Sequence, residues 1–266
     1  MLHMRRVIVT RPEREALQWV AALQARGIGA HALPLIAISP PTDADALQAA
    51  RDHITNYRAV MVVSSNAAQH FFDQNTALAL TVQAQAAIKT RVWSPGPGTA
   101  HALQMLGVDA ACIDQPAADA AQFDSESLWA QVQRQIGPGD AVLIVRGTEA
   151  GAHQQGTGRD WLAQQITAAG GRVDFVVAYT RGAPDWTEAQ RTQARTAASD
   201  GALWLLSSSQ ALDNLRAALP GQAWDRAHAL ATHPRIAQAA RALGFASVHE
   251  CRPALTDVAA SIESMP

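Results

Sequence analysis

Short apolar runs alternate along the chain with longer stretches rich in Ala, Leu and Gln at helical spacing. Runs too short for a helix, each closed by a small or polar cluster, read as buried parallel strands, and the longer stretches as the helices that cover the sheet. The pattern predicts strands at 7–9, 59–63, 91–93, 141–145, 203–206 and 229–231. The clusters that follow them are Thr10-Arg11-Pro12, Ser64-Ser65-Asn66, Ser94-Pro95-Gly96-Pro97-Gly98-Thr99, Arg146-Gly147-Thr148, Ser207-Ser208-Ser209 and Thr232-His233-Pro234-Arg235. Ligands of open α/β sheets bind outside the carboxyl ends of the strands, so these turns are where chemistry is expected.

The pattern also echoes itself. Arg11 followed by Trp19-Val20-Ala21 and Gly27-Ile28-Gly29 resembles Arg146 followed by Trp161-Leu162-Ala163 and Gly170-Gly171-Arg172. The Ser64-Ser65-Asn66-Ala67 turn resembles Ser207-Ser208-Ser209-Gln210-Ala211, and Gly96 to Gly107 resembles Thr232 to Gly244. Echoes in compatible order imply one α/β unit used twice. Two extended segments, 32–38 around Pro34 and 173–179 ending in Tyr179, bracket the middle of the chain. Read as crossings, they give one domain from 1–36 plus 179–266 and an inserted domain at 37–178, with the paired linkers acting as a hinge over a cleft.

A chain of 266 residues with 48% hydrophobic and 17% charged residues can bury two modest cores. Its net charge of -2 gives no bulk attraction to nucleic acid or to an acidic membrane surface. Lys89 is the only lysine, in Ile88-Lys89-Thr90 without a preceding glycine, so a P-loop is excluded and a Schiff base would rest on that residue alone. Cys112 and Cys251 form no CxxC pair, and the histidines show no metal-ligand spacing. The basic start, Met1 to Arg6, is followed by only Val7-Ile8-Val9, too short for a signal-peptide apolar region, and no run reaches membrane-span length. A cytoplasmic protein with reduced thiols is expected.

Taken in order, Thr10-Arg11-Pro12, Pro34-Leu35-Ile36, Ser64-x-Asn66-Ala67, Gly96-Pro97-Gly98-Thr99-Ala100, Ser125-Glu126-x-Leu128, Arg146-Gly147 with Gly158-Arg159-x-x-Leu162, and Val176-Val177-Ala178-Tyr179 span nearly the whole chain. This series resembles the uroporphyrinogen-III synthase family. The resemblance implies an α/β protein with two flavodoxin-like or Rossmann-like parallel-sheet domains, a two-stranded β linker and an active-site cleft between the domains. It further implies a cytosolic, cofactor-free monomer without a metal. Its substrate is expected to be hydroxymethylbilane, cyclised to uroporphyrinogen III with inversion of ring D and loss of water, and a transient contact with hydroxymethylbilane synthase is expected.

Such a substrate carries eight carboxylates, and its hydroxymethyl group leaves as water to give an azafulvene that closes through a spiro pyrrolenine. Anion recognition and a proton for the leaving hydroxyl are needed. Backbone amides at helix N-termini bind carboxylates without side-chain charge. By resemblance, Tyr179 is the general acid; otherwise it packs on the linker with a wet hydroxyl. Thr99 either caps its helix or donates to substrate, and Gly96 and Gly98 either admit a ligand to the backbone or make a turn. Ser64, Asn66, Ser207, Ser208 and Ser209 carry the same choice between cap and substrate contact. Arg11, Arg146, Arg159 and Arg235 stand in or near the turns and suit bidentate carboxylate recognition, or else are solvated surface cations.

Two departures stand out. Val63 replaces a threonine common in the family, and Thr232-His233-Pro234-Arg235 replaces a glycine-and-threonine turn, which passes the anion contact there to Arg235 or the backbone and makes His233 a further candidate acid. A two-lobed binding protein or effector domain for anionic ligands shares the architecture without the catalysis. A dinucleotide site is excluded, because Gly96-x-Gly98 lacks the third glycine and the distal acid.

Overall fold

The computed structural model describes residues 5–82, 90–120, 122–149 and 161–265. In chain order it begins with β1 (Val7–Val9), α1 (Glu13–Gln24) and β2 (Ala30–Ala32). There follow β3 (Ala37–Ser39), α2 (Ala44–Asp52), β4 (Ala59–Val62), α3 (Ser65–Phe71), α4 (Gln74–Val82), β5 (Arg91–Trp93), α5 (Pro97–Met105), β6 (Ile113–Asp114) and α6 (Ser125–Val132). The middle of the chain closes with β7 (Ala141–Glu149), α7 (Trp161–Ala168) and β8 (Arg172–Gly182). The last part holds α8 (Glu188–Ser199), β9 (Leu203–Leu206), α9 (Ser209–Ala218), β10 (His228–Ala231), α10 (Pro234–Leu243), β11 (Ser247–Glu250) and α11 (Leu255–Glu263).

Two compact units result, the first from Met1–Ile38 with Gly182–Pro266 and the second from Ser39–Arg181. The divisions fall slightly beyond the expected 36/37 and 178/179, because β8 runs on past Tyr179 beside β7. Tyr179 therefore belongs to the second unit and not, as expected, to the first.

The first unit has a five-stranded sheet of order β11-β10-β9-β1-β2, all parallel. Renumbered within the unit this is 2-1-3-4-5, the flavodoxin-like order. Helices cover both faces, so its central strands are apolar throughout rather than alternating. Val7 and Val9 join the cluster of Leu23, Leu203, Leu205 and Val258, whereas Ile8 joins Trp204, Leu206, Leu212 and Ile236 on the other face.

The second sheet has the order β3-β8-β7-β4-β5-β6. From β4 the chain winds outward through β5 and β6, then returns to β7 on the other side of β4, a Rossmann-like reversal. β7 pairs parallel with both β4 and β8. Met61, Ile144, Leu128 and Leu162 form part of the core that packs α6 and α7 onto this sheet.

Two sequence expectations fail locally. Arg146-Gly147-Thr148 is not a turn, because the strand continues to Glu149 while β8 supplies Tyr179, Thr180 and Arg181 as partners. The segment 32–38 is not one extended run: β2 ends at Ala32 and β3 starts at Ala37, with Pro34, which has no N–H to give a ladder, between them.

Candidate functional site

The strand reversal of the second unit lies between β4 and β7, where open α/β sheets place their ligands. Ser64 follows β4 there as the N-cap of α3, its Oγ accepting the Ala67 N–H at 3.1 Å. Between Arg146 and Gly147 the pairing of β7 with β8 slips by one residue, Ala178 of β8 being the unpaired one. Ile144, Arg146 and Gly147 of β7 and Phe175, Tyr179 and Arg181 of β8 all line one cavity.

Tyr179 is 4% exposed, and its hydroxyl and that of Ser64 share a hydrogen bond of 3.1 Å. Its ring lies flat against Gly147: a Cβ at that position would stand 2.8 Å from Cε1 and closer still to Cε2 and Cζ. The imidazole of His70 stacks on the ring with centroids 5.8 Å apart and planes 29° off parallel. His70 is itself anchored, because Arg51 donates from Nε to the Phe71 carbonyl at 2.8 Å and from Nη2 to the His70 carbonyl at 2.7 Å at the end of α3. Tyr179 is thus gripped by the backbone of β7 and by a hydroxyl and an imidazole from the two ends of α3.

The adjoining cavity has a volume of about 170 Å³. Its walls are largely apolar, with Met61 and Leu162 among them, and the charged residues of its lining are Arg146 and Arg181, with no acid among the lining residues described. The Arg146 guanidinium sits over the Phe175 ring, 4.2 Å from its centroid. Arg181 faces Glu149 at 3.7 Å, an ion pair too long for a hydrogen bond.

The second turn of this unit packs against Phe123 at one glycine and is open at the other. Gly96 caps α5, and a Cβ there would lie 2.9 Å from that of Phe123, so packing of that side chain demands the glycine. Gly98 has open space around its Cα, and its carbonyl accepts from Ser65 Oγ at 3.4 Å. Thr99 is buried within α5, 7% exposed. Asn66 lies in the first turn of α3 and is partly buried. Arg159 lies outside the described residues.

In the first unit the reversal falls between β1 and β9. Arg11, just after β1, is engaged locally: it donates to Glu15 at 3.2 Å and lies 4.0 Å over the Trp19 ring. Burial lowers its pKa and Glu15 opposes the shift; a guanidinium stays charged either way. Ser207 is partly buried, Ser208 occupies the N-cap of α9 without a side-chain cap bond, and the buried Oγ of Ser209 has no hydrogen-bond partner among the described residues. His233 is spent as the cap of α10, its Nδ1 accepting the Arg235 N–H at 3.1 Å, while the Arg235 side chain is exposed.

The sequence reading missed His70, Phe175 and Arg181. Strand alternation counted from Tyr179 reaches Phe175 and Arg181 on its own face. His70 has no such signal, because its place depends on how α3 packs.

The family model for uroporphyrinogen-III synthase HemD matches residues 18–257. Among solved structures, the uroporphyrinogen-III synthetase of Helicobacter pylori is similar with a TM-score of 0.55 at 12% identity, covering 98% of each chain. A mutant uroporphyrinogen III synthase of Thermus thermophilus is similar with a TM-score of 0.50 at 16% identity, covering 94% of each chain. At these identities the two structures speak for the fold, and the family match speaks for membership.

Proposed function

Because the chain belongs to the uroporphyrinogen-III synthase family, we propose that Tyr179 is the group that acts on the leaving hydroxyl of its substrate. The enzyme is a cyclising lyase of tetrapyrrole biosynthesis that converts hydroxymethylbilane to uroporphyrinogen III with inversion of ring D and loss of water. Non-catalytic ligand binding is not favoured by the family match.

The observation that carries the proposal is the hydrogen bond between Tyr179 and Ser64 at the strand reversal. Ser64 Oγ accepts the Ala67 N–H and has one proton of its own to give. With that proton donated to Tyr179 Oη, the phenolic proton is left for the substrate. As the terminal C–O bond breaks, the departing hydroxyl takes up a proton to become water, and the pyrrole nitrogen releases one to leave a neutral azafulvene. Tyr179 assists by donating a hydrogen bond to the departing oxygen, and the burial of its ring keeps that donor from wandering. Closure through the spiro pyrrolenine then needs shape rather than a further reagent.

The substrate's carboxylates are assigned to the strand-end turns of the units: Ser64, Asn66, Gly96, Gly98, Thr99, Arg146 and Arg159 in the second, and Ser207, Ser208, Ser209 and Arg235 in the first. Arg11 contributes less, since Glu15 and Trp19 already hold it. The enzyme works as a cytoplasmic monomer and receives hydroxymethylbilane through transient contact with the synthase that makes it. No helix of the described residues is long and apolar enough to cross a membrane. Tyr179→Phe tests the central assignment: turnover should fall by roughly 10²-fold or more, the range of a lost general acid, with the thermal midpoint nearly unchanged. Near-normal turnover in that variant would remove Tyr179 from the mechanism.

A further inference from the structure

The cavity beside Tyr179 is too small for the whole substrate. Pockets that enclose a drug-sized ligand run to roughly 300–1,000 Å³, and a linear chain of four pyrroles with eight carboxylates is larger than most of those ligands. The 170 Å³ space therefore admits a part. Its chemistry specifies which kind of part. Met61, Leu162 and Phe175 offer apolar surface to a flat ring, and Arg146 and Arg181 give the lining a positive charge that suits anionic arms. The Arg146 guanidinium lies over the Phe175 ring, and its fork of donors suits bidentate recognition of a carboxylate. Arg181 is poised for a better partner than it has: Glu149 is 3.7 Å away, and the buried Arg181 Nε makes no hydrogen bond among the described residues.

We infer that this cavity seats a single pyrrole of the substrate, with its acetate and propionate arms on Arg146 and Arg181. The ring it takes is the terminal one that bears the hydroxymethyl group, because Tyr179 lines the same cavity. The inference rests on the reading of Tyr179 given above, and it adds a seat for one ring, built wholly within the second unit, and two specificity-determining residues.

The probe is porphobilinogen, a single pyrrole with one acetate and one propionate, titrated calorimetrically into the intact enzyme, with benzoate as an aromatic monocarboxylate control. Binding of porphobilinogen tighter than benzoate, weakened at least about tenfold in both Arg181→Gln and Arg146→Gln as expected for loss of a charged hydrogen bond, is the predicted result. Arg181 is partly exposed, so its replacement is the variant expected to fold even if Arg146→Gln does not. In the same variants the KM for chemically prepared hydroxymethylbilane should rise more than kcat falls. Equal binding of both probes, or porphobilinogen affinity and KM unchanged in Arg181→Gln, overturns the inference. If the wild type forms isomer III while Arg181→Gln binds and turns over as the wild type does, only the seat is lost and the assigned reaction stands.

Discussion

Gly147→Ala adds one carbon in the most confined spot of the site. The new Cβ would lie 2.8 Å from Tyr179 Cε1 and nearer to two other ring carbons, whereas ordinary contact begins at 3.4 Å. The ring must withdraw by on the order of 1 Å to restore normal separations. The hydroxyl moves with it, out of the position in which it meets Ser64 at 3.1 Å. A misplacement of about 1 Å costs about 10²-fold in rate, equivalent to roughly 2.7 kcal/mol of barrier. Gly147 is not among the glycines with positive φ, so alanine brings no backbone strain. Overpacking of about 1–3 kcal/mol is the expected stability cost, which is a thermal shift of several degrees and not unfolding. The assay is single-substrate turnover on prepared hydroxymethylbilane beside a melting curve, repeated in a Tyr179→Phe background. Since Gly147 acts through the ring and hydroxyl of Tyr179, the double variant should be little worse than Tyr179→Phe alone. A kcat for Gly147→Ala within about threefold of wild type, or losses that multiply in the double variant, would refute the reasoning.

Ser64→Ala removes both the α3 cap and the Tyr179 partner; kcat should drop by up to about tenfold with KM little altered, and Ser64→Thr, which keeps a hydroxyl, should restore it. Asp124 caps α6 by accepting the Ser127 N–H at 2.8 Å; burial raises its pKa, but hydrogen bonds from Ser127 and Glu126 outweigh this and leave it lowered. A lowered folded pKa means that its stabilisation is present above the unfolded value, about 3.9, and is lost as pH falls through the folded one. Asp124→Ala should therefore cost about 1 kcal/mol in denaturant titrations at pH 7, and the gap to wild type should close as the pH is taken below that of the free carboxyl. Burial pushes the Cys251 thiol up to about 11, from an ordinary 9.0. At pH 8 its thiolate fraction, and so its alkylation by iodoacetamide, should be about a hundredfold below that of a free cysteine, read by mass mapping of the labelled peptides.

The central strands were legible because a parallel strand covered on both faces has to be apolar throughout: Val7-Ile8-Val9 and Leu203 to Leu206 read as strands from composition and length alone. The edge strands β6 and β11 escaped notice, since Ile113-Asp114 is too short for a pattern and Ser247-Val248-His249-Glu250 puts mostly polar side chains at a sheet edge. The Arg146-Gly147-Thr148 segment misled because a glycine between polar residues signals a turn, whereas here it lies within a strand, opposite the extra residue of β8, and makes a bed for an aromatic ring. Ser64 and Tyr179 were each picked out by the sequence, but their hydrogen bond spans 115 positions and depends on a strand order that no local pattern contains. Strand-end arginines are similarly ambiguous in sequence. Only the neighbours separate Arg11, held by Glu15 and Trp19, from Arg146, which lines the cavity.

The most direct measurement of the central claim is the isomer composition of the product, oxidised and separated by chromatography, when prepared hydroxymethylbilane is given to the wild-type enzyme and to Tyr179→Phe. Uroporphyrinogen III from the wild type, and mainly the uninverted isomer I at the uncatalysed rate from a folded Tyr179→Phe, is the expected outcome. Isomer I alone from the wild type would contradict the assigned reaction, and isomer III at undiminished rate from Tyr179→Phe would contradict the site assigned to carry it out.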